Sequence, residues 1–171
     1  MSFAAAAAFG ARGEKARRQL LGGIAVRLWL WKTLPLAAFA GLRIVRMDEQ
    51  ACAVRLPGGW RTQNPFRSTY FAAQAMAAEM STGAPALVLL RDSPASVAML
   101  VVGLRASYGK KLVGAGVFSF EDVAGMRAAV ERAAAGDEPQ LFAARSVGRG
   151  PKGEVVAEFE ISWSFKRRSR A

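Results

Sequence analysis

The cleanest alternation in the chain lies near its C-terminus. Phe159, Ile161, Trp163 and Phe165 take one parity; Glu158, Glu160, Ser162 and Ser164 take the other. Successive strand side chains point to opposite faces, so residues 154–166 are predicted to form a half-buried antiparallel strand. The same period of two follows Gly41. Ile44 and Arg46 alternate with Val45 and Met47; beyond Asp48-Glu49-Gln50, Cys52, Val54 and Leu56 alternate with Ala51, Ala53 and Arg55. Two strands joined by a polar turn fit this pattern, with Pro57-Gly58-Gly59 closing the second. Further strands are expected at residues 86–90, 97–108, 112–120 and 140–147, bounded by Asp92-Ser93-Pro94, Gly109-Lys110-Lys111 and the loop from Gly148 to Gly153.

Helical spacing appears in three places. Ala16, Leu20, Ile24, Leu28 and Trp31 recur at the spacing of an amphipathic helix. Such a helix either packs on the domain or lies on a membrane surface through Trp29, Trp31 and its basic neighbours. Residues 66–83 give the strongest helix, rich in Ala and Met, with Gly83 expected as its C-terminal stop. From Tyr70 to Met80 it is apolar except for Gln74 and Glu79, which predicts burial. Residues 121–135 read as a shorter helix with Val123, Met126, Val130 and Ala134 on one face, ended by Gly136-Asp137-Glu138-Pro139. Residues 1–13, with their alanine run and two glycines, read as a frayed leader. Runs of strands interrupted by few helices indicate an α+β domain and exclude regular βαβ alternation.

At 171 residues and 52% hydrophobic, the chain suits one domain with a substantial core. We divide it into a basic amphipathic segment (1–34), a folded domain (35–167) and a basic tail (168–171). Arg27 and Lys32 interrupt the apolar stretch near the N-terminus, which falls well short of the roughly 20 residues that span a bilayer. The single cysteine, Cys52, permits no internal disulfide and fits a reducing compartment, so a cytoplasmic protein is expected.

Net charge is +11 and sits at the ends. Residues 1–32 hold six Lys or Arg against one Glu, and Lys166, Arg167, Arg168 and Arg170 add four more. Basic ends suit anionic partners such as phosphorylated ligands or lipid headgroups. Nucleic acid is not expected, because the nearby Trp29, Trp31, Trp163 and Phe165 fall at apolar spacings.

The chain contains no histidine. Ser-His-Asp and Cys-His catalysis are therefore excluded, as are histidine metal sites, and no metal is expected. A general base must come chiefly from a carboxylate. Between Gln50 and Leu112 the only acids are Glu79 and Asp92, and Glu79 lies in the apolar helix, where desolvation raises a carboxylate's pKa.

The segment Asn64-Pro65-Phe66-Arg67-Ser68-Thr69-Tyr70, followed by a long helix bearing Glu79, resembles the central part of the hotdog-fold thioesterase superfamily. More narrowly it resembles the DUF4442 branch beside the PaaI-like acyl-CoA thioesterases. The resemblance spans roughly residues 35–167, including Val101–Tyr108 and the closing strand. PaaI-like enzymes carry an Asn before the helix, a Gly three residues on, a His-Gly-Gly after three more, and an Asp or Glu fifteen residues from the Asn. Asn64 and Glu79 meet the first and last of these positions; Arg67 stands at the Gly, and Tyr70-Phe71-Ala72 replaces His-Gly-Gly.

The resemblance implies a long central helix wrapped by a curved antiparallel sheet, and a dimer or tetramer with pockets between subunits. It implies hydrolysis of an acyl-CoA thioester, with coenzyme A entering as part of the substrate and no separate cofactor. Glu79 would activate water or attack the thioester, Asn64 would orient water or substrate, and N–H groups near Tyr70 and Phe71 would hold the oxyanion. Ser68 and Thr69 are candidates for positioning, and Arg105, Lys110, Lys111, Arg145 and Arg149 for the phosphates. Two alternatives stay open: a non-catalytic acyl-binding or structural hotdog protein, and a Glu79 that pairs with Arg67 or Arg105 across a subunit contact.

Overall fold

The computed structural model describes residues 8–169. Six strands form one antiparallel sheet: β1 (Arg43–Met47), β2 (Cys52–Leu56), β3 (Val97–Tyr108), β4 (Gly116–Phe120), β5 (Gln140–Arg149) and β6 (Val155–Arg167). Their order is β1-β2-β4-β5-β6-β3, which leaves β1 and β3 as the edges. The alternation read from the sequence is realised in β6. Phe159, Ile161, Trp163 and Phe165 are buried while Glu160 stays in solvent.

Three short helices precede the sheet: α1 (Ala11–Leu21), α2 (Gly23–Thr33) and α3 (Pro35–Ala40). The long α4 (Phe71–Asp92) lies across the sheet, and α5 (Val123–Ala135) packs beside it. The inner face of the sheet supplies Val54, Leu56, Phe118, Phe120, Phe159 and Ile161 to the core, each almost wholly buried. Full burial of side chains of this size contributes roughly 1.5–3 kcal/mol apiece. Ala77, Ala78 and Ser81 let α4 approach closely, and Ser81 Oγ meets Ser146 Oγ of β5 at 2.8 Å inside the contact.

The central helix departs from its expected span of 66–83 at both ends. It begins at Phe71 because Asn64 Oδ1 accepts hydrogen bonds from Phe66 N, Ser68 N and Ser68 Oγ, folding residues 64–68 into a tight loop. It continues to Asp92, so residues 86–90 are helix and not the expected strand. Gly83 does not stop it, and neither does Pro85. An internal proline removes a hydrogen bond and costs about 3 kcal/mol, which burial of Ala84, Ala86, Val88 and Leu89 offsets. A short apolar run cannot by itself distinguish strand from buried helix. Here packing decided. The strand expected at 112–120 is likewise shorter, since Leu112 is a buried loop residue and β4 starts at Gly116.

The single helix expected through Ala16, Leu20, Ile24, Leu28 and Trp31 is two, broken at Gly22, whose backbone is extended (φ −70°, ψ 140°). Of the leader expected over 1–13, residues 1–7 lie outside the described part. Gly10 and Gly13 are anchored, not frayed: their N–H groups donate to the Asp92 carboxylate at 2.7 and 3.1 Å. A Cβ at Gly10 would stand 2.6 Å from Asp92 Oδ1. This carboxylate, carried at the end of α4, therefore holds the first turn of α1 and complements the dipole of α1 at its N-terminus.

Candidate functional site

Glu79 lies two turns into α4 and borders a cavity of about 450 Å³, within the range of small-molecule sites. Met80, Gly83, Ala84 and Leu87 of α4 form one side and Leu42 and Ile44 another. Met99 of β3 closes an end, and Leu20, Val26, Trp29 and Leu30 of α1 and α2 supply the roof. The walls are mainly apolar, with Glu79 as their acidic group and Arg27 and Arg43 as their basic ones.

Burial pushes the Glu79 carboxyl above its ordinary pKa, with no neighbouring charge offsetting the shift. Among the described residues of the single chain it makes no ion pair. Its place depends on Gly83. A Cβ there would come within 2.9 Å of Glu79 Oε1 and 3.3 Å of the Trp163 ring. Trp163 Nε1 donates to Thr82 Oγ1 at 3.0 Å, which fixes the ring beside that bare stretch of helix. The sequence signal at Gly83 was thus one of close approach, not of helix termination.

The other expected residues gather at the start of α4. Asn64, with its side-chain oxygen engaged three times, organises the loop. Ser68 Oγ donates to Asn64 Oδ1 (3.2 Å) and Thr69 Oγ1 to Gly114 O (3.4 Å), so both hydroxyls hold local structure. Arg67 has φ 58° and is the one non-glycine residue in the left-handed region among those described. It occupies the position where the resembled family has glycine, and the backbone keeps the form glycine takes without strain. Arg67→Gly is therefore expected to raise stability by about 1 kcal/mol, read as an increase in Tm by differential scanning calorimetry.

Tyr70 N–H is already given to Thr62 O at 2.7 Å, which removes it as an oxyanion donor. Among the described residues no acceptor takes the N–H groups of Phe71 and Ala72. These two, on the exposed first turn, are the open donors. Along one chain they stand eight and seven residues from Glu79, about 12 Å of helix at most. A single chain does not bring the expected base and oxyanion donors together.

The phosphate candidates divide. Arg105 pairs in register with Glu160, and Arg145 Nη2 bonds Glu158 Oε2 at 2.6 Å; both lie on the outward face of the sheet, away from Glu79. Arg149 Nη1 donates to Gly153 O at 3.0 Å. Lys110 and Lys111 are exposed in the loop after β3, which Thr69 N ties to the start of α4 through Leu112 O. Lys110, Lys111 and Arg149 thus share the end of the molecule where the open N–H groups lie.

No family model matches the chain, and no curated protein matches it. Solved structures do. A Pseudomonas aeruginosa protein of unknown function, described as a probable thioesterase, superposes with a TM-score of 0.72 at 18% identity, covering 95% of this chain and 100% of its own. A Shewanella oneidensis protein described as a candidate thioesterase gives 0.69 at 11%, covering 86% and 97%. A Haemophilus influenzae thioesterase gives 0.62 at 12%, covering 84% and 90%. The fold is a hotdog. At such identities the likeness speaks for the hotdog architecture alone, and the expected helix wrapped by an antiparallel sheet is borne out. Sequence reasoning missed the roof supplied by α2. Its available signal was the Gly22-Gly23 pair inside an apolar stretch, which marks a hinge between two helices.

Proposed function

We propose that this protein is an acyl-CoA thioesterase in which Glu79 is the catalytic carboxylate. The observation that carries the reading is an unpaired, desolvated Glu79 at the wall of an apolar cavity. A raised pKa makes it a stronger base toward water than an ordinary carboxylate, and the cavity offers room for an acyl chain. The solved structures of similar fold that are described as thioesterases support the same chemistry.

The second half of the site comes, in this proposal, from another copy of the chain. Phe71, Ala75 and Glu79 follow one another at i, i+4 spacing along α4. Beside them the inner face of β3 leaves Val101, Leu104 and Tyr108 exposed, and Tyr108 touches the Phe71 ring at 6.2 Å between centroids. β3 is also an unpaired edge, a template for a second strand. A two-fold axis near Ala75, with the helices antiparallel, sets Phe71 and Ala72 of each copy beside Glu79 of the other. Water activated by Glu79 then attacks the thioester carbonyl, whose oxyanion meets the two N–H groups, and the coenzyme A thiolate leaves and is protonated. Lys110, Lys111 and Arg149 suit the coenzyme A phosphates at that end.

Free-thiol release from a panel of short, medium and long acyl-CoA thioesters tests the reading. Turnover on chains long enough to fill the cavity is expected. Absence of turnover across the panel, with tight acyl-CoA binding retained, would instead make the protein a non-catalytic acyl binder.

A further inference from the structure

We infer that α2 and α3 form a docking surface for an anionic lipid bilayer. Ile24, Leu28 and Trp31 lie on one stripe of α2 and are 77%, 66% and 54% exposed. Leu36 and Phe39 of α3 are exposed as well, and Phe39 meets the exposed Trp60 edge-on at 5.8 Å. So many exposed large apolar side chains on two successive helices are uncommon on a protein that stays in water. Helical geometry sets Arg27 on one flank of the α2 stripe and Lys32 on the other.

Charge selects the occupant. Residues 15–47 carry seven Lys or Arg and no acid. Arg17 and Arg18 are held by Glu14, and Arg46 by Asp48. Among the described residues, Lys15, Arg27, Lys32 and Arg43 have no acidic partner. A second copy seated on this face would bring like charges together, whereas anionic headgroups neutralise them while the apolar stripe and tryptophans enter the interface. Among the described residues no helix is long and apolar enough to cross a membrane, and the proposed contact is a peripheral one.

The same α2 lines the Glu79 cavity, with Val26, Trp29 and Leu30 on its inward side and with Ile24 of the docking stripe and Arg27 on its flank reaching the cavity rim. One helix, about 10 Å across, would then separate lipid from the carboxylate. This last step rests on the thioesterase reading and points to long acyl chains drawn from the membrane as the preferred substrates; the docking itself does not depend on it.

The test is flotation of the full chain with vesicles of phosphatidylcholine and phosphatidylglycerol in equal parts, against vesicles of phosphatidylcholine alone. Wild type and Glu79→Gln are both expected to float with the anionic vesicles, and to be released by high salt. The double substitution Leu28→Ser with Trp31→Ser, both exposed, should weaken binding at least about tenfold. Arg27→Gln with Lys32→Gln should weaken it about thirtyfold. Each variant is compared at an unchanged circular dichroism spectrum. Wild type remaining in the lipid-free fraction overturns the inference. So does binding that both double variants retain. A larger oligomer that the Leu28/Trp31 variant dissociates, without vesicle binding, would assign the face to a second copy instead. Glu79→Gln that floats but does not hydrolyse upholds docking and catalysis together; wild type that floats without any turnover upholds docking alone.

Discussion

Replacing Glu79 by Gln is expected to lower acyl-CoA hydrolysis by about 10²–10⁴-fold, the range that a positioned general base contributes. The amide keeps the shape of the side chain and its place over Gly83, so the cavity remains. Folding should not suffer, and the sign follows from the direction of the pKa shift. Burial raises the folded-state pKa of Glu79 above its unfolded value. The group therefore favours the folded state most below the unfolded pKa, and this contribution is lost as pH rises through the folded pKa. At neutral pH the ionised, unpaired carboxylate is a cost that the amide does not carry. The Tm of the variant near pH 7 is thus expected to equal or exceed that of wild type. Loss of turnover together with a lowered Tm would point instead to a structural role.

The second large effect concerns assembly. Leu104→Arg is expected to leave an 18.3 kDa monomer in place of the proposed dimer and to abolish turnover with it. Leu104 lies opposite Ile161 on the inner side of β3 and is half exposed in the single chain. Substitution at such a surface position changes monomer stability by little, within about 0.5 kcal/mol. Across a two-fold contact the same change buries two unpaired guanidinium groups at a cost of several kcal/mol. In the proposed dimer activity falls because Glu79 then loses the partner's N–H groups, while those of its own helix stand about 12 Å away. Sedimentation velocity paired with thiol release reads both consequences. A Leu104→Arg protein that is monomeric yet fully active would place the whole site within one chain.

Much of this architecture was legible because it rests on periodicity. The alternation in 158–165 fixed β6, and the Ala/Met run fixed the existence of α4. Its ends were not legible, for different reasons. Residues 66–70 adjoin the Ala/Met run, but the Asn64 side chain captures the local N–H groups in a loop. Beyond Gly83, which reads as a stop, and past Pro85, the helix continues because the sheet and α5 bury its later turns. Glu79 stood out as a carboxylate in an apolar helix of a chain without histidine, and burial with a raised pKa agrees with that. The phosphate candidates were harder, since strand parity alone sends Arg105 and Arg145 outward. The cavity roof was hidden for another reason: an apolar helix such as α2 faces inward and outward at once, and a sequence does not say which face meets what.

The most direct measurement is the pH dependence of thiol release for wild type and Glu79→Gln on one acyl-CoA substrate. A desolvated Glu79 acting as base predicts a wild-type rate that rises with pH along a limb displaced above the ordinary carboxylate range, and a variant with that limb gone. Equal rates in the two proteins, or a wild-type limb at the ordinary carboxylate position, would contradict the assignment of Glu79.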